Sequence, residues 1–256
     1  MEHINKTKIT MRYIIILCFF FVGTLCAQNQ KRESLEPTVT EIWEPIPAKI
    51  TPGTIAGEAP SDATILFNGK DMNEWTSGDG SAAKWDMKDG FFTVKKGTGD
   101  IKTKKLFGDI QLHIEWRAPS EIIGEGQGRG NSGIFLQEKY ELQVLDSYES
   151  RTYSNGQAGS IYKQAIPMAN PTRKPGEWQV YDVVYTAPRF SDNGRVIVPA
   201  YITVLLNGVV VQNHLQIIGP TEYKGMPVYI SHGKASLKLQ DHGNPVSYRN
   251  IWVREL

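Results

Sequence analysis

Asp109-Ile-Gln-Leu-His-Ile-Glu-Trp-Arg117 alternates without a break. Ile110, Leu112, Ile114 and Trp116 fall on one side, and Gln111, His113, Glu115 and Arg117 on the other. A period of two is the signature of a strand with one buried face. Similar short runs follow at Ser132–Gln137, Tyr140–Leu145, Gln179–Thr186, Ala200–Leu206 and Gly208–Gln212, and again at Val228–Ser231, Ser236–Gln240 and Asn250–Arg254. Upstream, Ile65-Leu-Phe67 stops at Asn68-Gly69, and Gly90–Val94 lies between Asp89-Gly90 and the glycines at 97 and 99. Asn207-Gly208 between two alternating runs marks a two-residue hairpin turn. No stretch has the 3.6-residue period of a long amphipathic helix. Many short strands joined by glycine-rich turns predict an all-β sandwich of two antiparallel sheets.

The N-terminus reads differently. Lys6, Lys8 and Arg12 precede the apolar run Tyr13–Val22, and small residues lead to Ala27-Gln28. Basic, then apolar, then small is the order of a secretory signal peptide, here residues 1–27, too short in its apolar part to span a bilayer. Removing it takes Lys6, Lys8, Arg12 and Glu2 from the 28 basic and 27 acidic residues, leaving 25 against 26, a net of −1. Such a balance offers no basic stripe, which argues against nucleic acid or an anionic membrane as partner. Both cysteines, Cys18 and Cys26, lie in the leader, so a mature chain beginning at Gln28 has no disulfide. Lipidation of Cys26 would anchor the protein to a membrane, but the bulky Leu25 before it favours soluble export, and a cysteine-free exported chain suggests a bacterial cell envelope. Residues 28–60 are polar and punctuated by proline, and read as an extended arm or linker. The sandwich then occupies residues 61–256.

Polar residues on the second face of each strand are where chemistry can sit. His113, Glu115 and Arg117 form one such row. Tyr140-Glu-Leu-Gln-Val-Leu-Asp146 sets Glu141 and Gln143 opposite Leu142 and Val144, and a β-bulge after Gln143 would bring Asp146 to the same face. Two carboxylates flanking a hollow is the requirement for glycosidic bond cleavage. In Lys238–Arg249, Leu237 and Leu239 mark the core side, so Gln240 and His242 project away from it. An imidazole there can exchange protons near neutrality, while Asp241 and Arg249 suit a structural ion pair. Gly128-Arg-Gly-Asn-Ser-Gly133 brings Asn131 and Ser132 to a strand entrance, within reach of a sugar hydroxyl. It lacks the lysine and following helix of a phosphate loop. His113, Glu115 and His242 would make a divalent cation site if their strands were adjacent. No cofactor is otherwise indicated.

Several of these segments together resemble the 3-keto-disaccharide hydrolase family of bacteria. They are Leu66–Trp75, His113–Arg117, Gly130–Leu136, Tyr140–Asp146, Gly176–Gln179, Leu206–Gly208, Leu239–Val246 and Tyr248–Trp252. The resemblance implies a concanavalin A-like jelly roll, a small carbohydrate ligand carrying a ketone at C3, and an exported, periplasmic protein of the Bacteroidetes type. A C3 ketone acidifies the C2 proton, so a positioned base can start elimination of the C1 substituent. Glu115, Glu141 and His242 are the candidate catalytic residues. His113, Arg117, Asn131, Gln143, Asp146 and Gln240 are candidates for binding substrate. Two rivals remain. Glu141-x-Gln143-x-x-Asp146 has the spacing of a laminarinase-like retaining glycosidase motif with two substitutions, and a jelly roll also serves non-catalytic sugar-binding modules.

Overall fold

The computed structural model describes residues 36–256, so residues 1–27, read as a signal peptide and carrying Cys18 and Cys26, lie outside the described residues. Contacts divide the chain into two units, residues 1–48 and 49–256. In the first, the described part is exposed and holds one 3-10 turn, Pro37–Thr40. The stretch read as an arm is therefore split, because residues from Lys49 belong to the second unit. No helix among the described residues is long and apolar enough to cross a membrane.

The second unit is built of strands. β1 (Thr64–Phe67), β2 (Trp75–Ser77), β3 (Asp86–Lys88), β4 (Phe91–Thr93) and β5 (Ile101–Phe107) come first. β6 (Ile110–Arg117), β7 (Ser132–Leu136), β8 (Tyr140–Val144), β9 (Gln179–Thr186) and β10 (Arg189–Phe190) follow. β11 (Val196–Val198), β12 (Tyr201–Leu206), β13 (Val209–Gln216), β14 (Ala235–Leu239) and β15 (Ser247–Glu255) complete the chain. Eight strands form one antiparallel sheet in the order β13-β12-β9-β6-β15-β4-β3, with β1 also paired to β15. Five form a second, β2-β5-β14-β7-β8, and β10 and β11 make a separate ribbon. The all-β sandwich is as expected.

Alternation fixes which face meets the other sheet. Ile110, Leu112, Ile114 and Trp116 of β6 and Tyr181, Val183 and Tyr185 of β9 are buried. So are Ile134 and Leu136 of β7, Tyr140, Leu142 and Val144 of β8, and Leu237 and Leu239 of β14. Each such side chain contributes about 1.5–3 kcal/mol by leaving water. The polar ends of buried tyrosines tie the two layers together. Tyr181 donates to the carbonyl of Gln143 at 2.7 Å, Tyr185 to Gln137 Oε1 at 2.8 Å, and Tyr248 to Ser132 Oγ at 2.7 Å. Asn207 and Gly208 both have positive φ, 52° and 80°, and join β12 to β13 with Leu206 opposite Val209, the hairpin that the dipeptide predicts.

One expected strand is absent. Val228–Ser231 runs without ladder pairing. Tyr229 turns inward, its hydroxyl donating to the Ile217 carbonyl and accepting from the Ala200 amide, while Val228 and Ile230 face out. The segment has a strand's alternation but side-chain anchoring instead of a backbone ladder.

Candidate active site

The β7–β8 hairpin is regular, pairing Gly133 with Gln143, Ile134 with Leu142 and Phe135 with Glu141. With Leu142 and Val144 in the core, Glu141 and Gln143 must point from the opposite face of the five-stranded sheet, beside Gly133 and Phe135. β14 lies next to β7 with Lys238 opposite Phe135. Its continuation is held by the amide of Gln240 donating to the Gly133 carbonyl at 3.0 Å. Five side chains from three strands thus share one outward face. Gly133 is what makes room there: a Cβ at that position would stand 2.6 Å from Glu141 Oε1 and 2.8 Å from the Phe135 ring.

Loops wall this face into a cavity of about 340 Å³, lined by Asn131, Glu141, Gln143, Tyr162, Gln240 and His242, together with Phe135, Thr221 and Tyr223. β8 is the edge of its sheet, and its outer side is taken by the loop after it. The amide of Gln143 donates to the Ser160 carbonyl, that of Gly159 to the Gln143 carbonyl, and that of Tyr162 to the Glu141 carbonyl. Those bonds put the Tyr162 ring at the rim, its hydroxyl 2.6 Å from that of Tyr153. The Glu141 amide donates to Thr221 Oγ1 at 3.0 Å. His242 follows Asp241, whose carboxylate accepts from the amides of Gly97, Gly99 and Gly243 at 2.7, 3.1 and 2.9 Å. That carboxylate fixes the turn, with Gly243 at φ 82°, where a side chain would be strained.

Inside the cavity the electrostatics are unusual. Glu141 is 5% exposed, and among the described residues its carboxyl accepts no hydrogen bond. Burial pushes its pKa from 4.5 to about 8; Lys238 pulls the other way and Asp100 adds to the rise. Lys238 is itself engaged, 3.1 Å from Asp100 and 4.1 Å from the centre of the Phe135 ring. Gln143 gives its amide hydrogens to Gln127 Oε1 and Asn131 Oδ1 at 3.2 and 3.4 Å, leaving Oε1 buried without a partner. Gln240 Oε1 is buried and unpartnered too. Buried acceptors in this condition are uncommon, and they call for donors from a ligand or ordered water.

The expected convergence of all three candidate catalytic groups is corrected by the fold. Glu141 and His242 meet, together with Asn131, Gln143 and Gln240. Glu115 does not join them, because β6 belongs to the eight-stranded sheet. There Glu115 accepts from Arg249 at 2.6 Å and Asn250 at 2.9 Å, and lies 3.6 Å from His113, which is 2.6 Å from Asp182. Burial opposes the charge on Glu115, but its His113, Asn250 and Arg249 partners prevail and hold it near 2. For His113 burial again opposes charge, and Asp182 and Glu115 outweigh it, raising the pKa to about 9. Residues near Gly57 cover this patch: the Gly57 carbonyl accepts from Asn250 and Trp252. Arg117 packs between the Phe91 and Trp178 rings at 4.7 and 4.6 Å. The patch is a network of ion pairs and hydrogen bonds on the eight-stranded sheet, with Asp182 and Arg249 partly exposed.

Asp146 is also elsewhere. β8 ends at Val144 without a register shift, and Arg129 takes the Asp146 carboxylate at 2.6 Å. The supposed Asp241–Arg249 pair is replaced by the glycine amides for one and Glu115 for the other. With His113 and Glu115 on one sheet and His242 at the other, the postulated cation set is not assembled. Among the described residues no three His, Cys, Asp or Glu side chains are grouped to hold a metal. Tyr162, Thr221 and Tyr223 escaped the sequence reading because they sit in loops with no periodicity to betray their direction.

A family model described as the 3-keto-alpha-glucoside-1,2-lyase-like domain matches residues 62–254. The chain belongs to that family. Among solved structures, a Parabacteroides distasonis protein provisionally named a glycosyl hydrolase is 55% identical, with a TM-score of 0.84, over 87% of this chain and 97% of that one. A second P. distasonis protein with the same provisional name is 23% identical, with a TM-score of 0.58, over 81% of this chain and 100% of that one, a likeness of fold alone. The comparison with curated proteins gave no match. The matched span of the family takes in every residue lining the Glu141 cavity.

Proposed function

We propose that this carbohydrate-active, glycosidase-type protein cleaves the C1–O bond of 3-keto-glycosides in the cavity around Glu141. The observation carrying the reading is a buried carboxyl that accepts no hydrogen bond among the described residues, flanked by two buried amide oxygens that lack donors there. Sugar hydroxyls are donors of the right kind for Gln143 and Gln240, each such bond contributing about 1 kcal/mol net. A raised pKa makes the ionised carboxylate a stronger base, which suits removal of a weakly acidic C–H proton. At pH 7 roughly a tenth of Glu141 would be ionised, and the fraction grows through pH 8.

In the proposed step the Glu141 carboxylate takes the C2 proton. The C–H electron pair delocalises onto the C3 oxygen, where the Tyr162 hydroxyl or an imidazole N–H of His242 can stabilise it. Collapse forms C1=C2 and expels the C1 oxygen with its bonding pair. That oxygen takes a proton from His242 or water. Addition of water across C1=C2 then makes the net reaction a hydrolysis. A retaining glycosidase would need a second carboxylate roughly 5–5.5 Å away. Asp146, its only sequence candidate, is bound to Arg129. We also propose export to the cell envelope, on the strength of the basic, apolar and small-residue order of residues 1–27.

The test is incubation with methyl and aryl 3-keto-glucosides and their unoxidised parents, following aglycone release. The expected result is turnover of the keto compounds alone, with kcat/KM rising with pH through about 8. Equal turnover of the unoxidised parents would defeat the reading.

A further inference from the structure

Three further hollows lie outside the catalytic residues. The largest, about 480 Å³, lies around Arg189 and His232. Its main ionisable side chains are already paired, Arg189 with Asp109, Lys234 with Glu255, and His232 with Tyr140. One of about 280 Å³ beside Met72 and Lys104 carries no unpartnered buried group. The third, about 330 Å³, includes Pro119, Ile123, Gly130, Gly243 and Pro245 in its lining. It adjoins the Glu141 cavity.

The adjacency is written in the chain. Asn131 lines the catalytic cavity and Gly130 the neighbouring one; His242 lines the first and Gly243 the second. Consecutive Cα atoms are about 3.8 Å apart, so the two hollows share a rim built from the same two loops. The Asn131 amide donates to Asn244 Oδ1 at 2.8 Å and ties those loops together. Gly130, at φ 55°, permits the close packing: a Cβ there would stand 3.0 Å from those of Ala118 and Asp146.

The linings differ in chemistry. The Glu141 cavity has buried acceptors without donors. In the second hollow the charged groups on the floor are mutually satisfied: Arg129 binds Asp146 and the Tyr148 carbonyl, and Asp146 also accepts from the Tyr148 amide. What remains is mostly apolar, the faces of Pro119, Ile123 and Pro245 and the stem of Lys96 near Gly243, with the exposed Glu121 and the Asn244 amide as the other polar lining. Ile123 is 67% exposed, a large apolar side chain held at the rim with nothing over it. A sugar here would lose water from hydroxyls that find few partners, which is unfavourable. An apolar ring would lose only water it binds poorly.

We infer that this second hollow is the leaving-group subsite and takes an apolar, aromatic aglycone rather than a second sugar. The inference rests on the proposed function for the direction of the scissile bond, which runs from the Glu141 cavity across the shared rim. The substrates are then 3-keto forms of aryl glycosides, produced upstream by an oxidation at C3 and releasing a phenol.

Calorimetric binding of methyl and 4-nitrophenyl glucosides, both anomers, to the full protein reads the subsite without requiring turnover. The aryl compound is expected to bind roughly tenfold or more tightly than the methyl one. Ile123→Asn should erase most of that preference while leaving methyl glucoside binding unchanged. Ile197→Asn, at an exposed isoleucine that lines neither hollow, should change nothing. Equal affinity for the two compounds, undetectable aryl binding at millimolar concentration, or an aryl preference indifferent to Ile123→Asn would each overturn the inference. Turnover of the 3-keto-glucosides is scored separately. Aryl preference without turnover defeats the proposed reaction and leaves the subsite standing; turnover without preference does the reverse.

Discussion

Replacing Glu141 by glutamine keeps the side chain's shape and removes its proton equilibrium. In the folded protein burial raises that carboxyl from 4.5 to about 8. Between those values the unfolded chain has released a proton that the native state still holds. Stability therefore falls as pH rises across this window, and does so only where the carboxyl can titrate. At about 1.4 kcal/mol per pH unit, the loss reaches about 3 kcal/mol at pH 7 and levels off near about 5 kcal/mol above pH 8. Glu141→Gln lacks this slope. Any packing difference of the amide adds a constant that does not vary with pH. Urea unfolding of both proteins from pH 4.5 to 9 should give stabilities that diverge steadily in favour of the variant and then run parallel. The same variant should lose about 10²–10⁴-fold in turnover of 3-keto-glucosides, being more stable and less active together. A stability gap that is flat from pH 4.5 to 9 would refute the reasoning, since it would mean that Glu141 titrates like a surface carboxyl.

Gly133→Ala drives a methyl group into Glu141 Oε1 and Phe135; thermal and kinetic assays should show about 1–3 kcal/mol of destabilisation and at least a tenfold fall in kcat. Gln240→Leu removes a buried oxygen that has no partner, so urea titration should show the fold unchanged or about 1 kcal/mol more stable, with KM raised severalfold. Glu115→Gln breaks the pair with Arg249 and should cost about 2 kcal/mol with kcat unchanged. Glu115, held near 2, contributes stability above pH 4.5 that is lost as pH falls through about 2. His113, held near 9, contributes below pH 6.5 and loses that contribution as pH rises through about 9. The deficit of Glu115→Gln should therefore be widest between pH 4.5 and 6.5 in unfolding titrations.

Strand phase was legible in the sequence, and it put Glu141, Gln143 and Gln240 on the face away from the core. Sheet membership was not. His113-x-Glu115 and Glu141-x-Gln143 alternate identically, yet one row is covered by residues near Gly57 and the other opens into a cavity. Periodicity says which way a side chain points from its strand and nothing about which layer the strand joins. Asp146 lies elsewhere for another reason: reaching the Glu141 face takes a bulge after Gln143, and the strand ends at Val144 instead, letting Arg129 capture the carboxylate. Residues 50–60 looked like linker because their anchors are backbone carbonyls such as that of Gly57, which leave no compositional trace. The Asn207-Gly208 hairpin succeeded because its signal is local, two residues that both tolerate positive φ.

The loop over the edge of β8 does two jobs with one set of hydrogen bonds. An open strand edge is a template for other chains, and residues 159–162 occupy this one with the same bonds that bring Tyr162 to the rim. Shortening the loop would uncover a sticky border as well as strip the wall, so solubility and catalysis are coupled there. Variation that retunes the pocket for new sugars is freer at Tyr223 than at Thr221, whose hydroxyl accepts from the Glu141 amide and whose own amide donates to the Lys139 carbonyl along the same border. Libraries aimed at altered selectivity should spare residues 159–162 and Thr221 and diversify Tyr223.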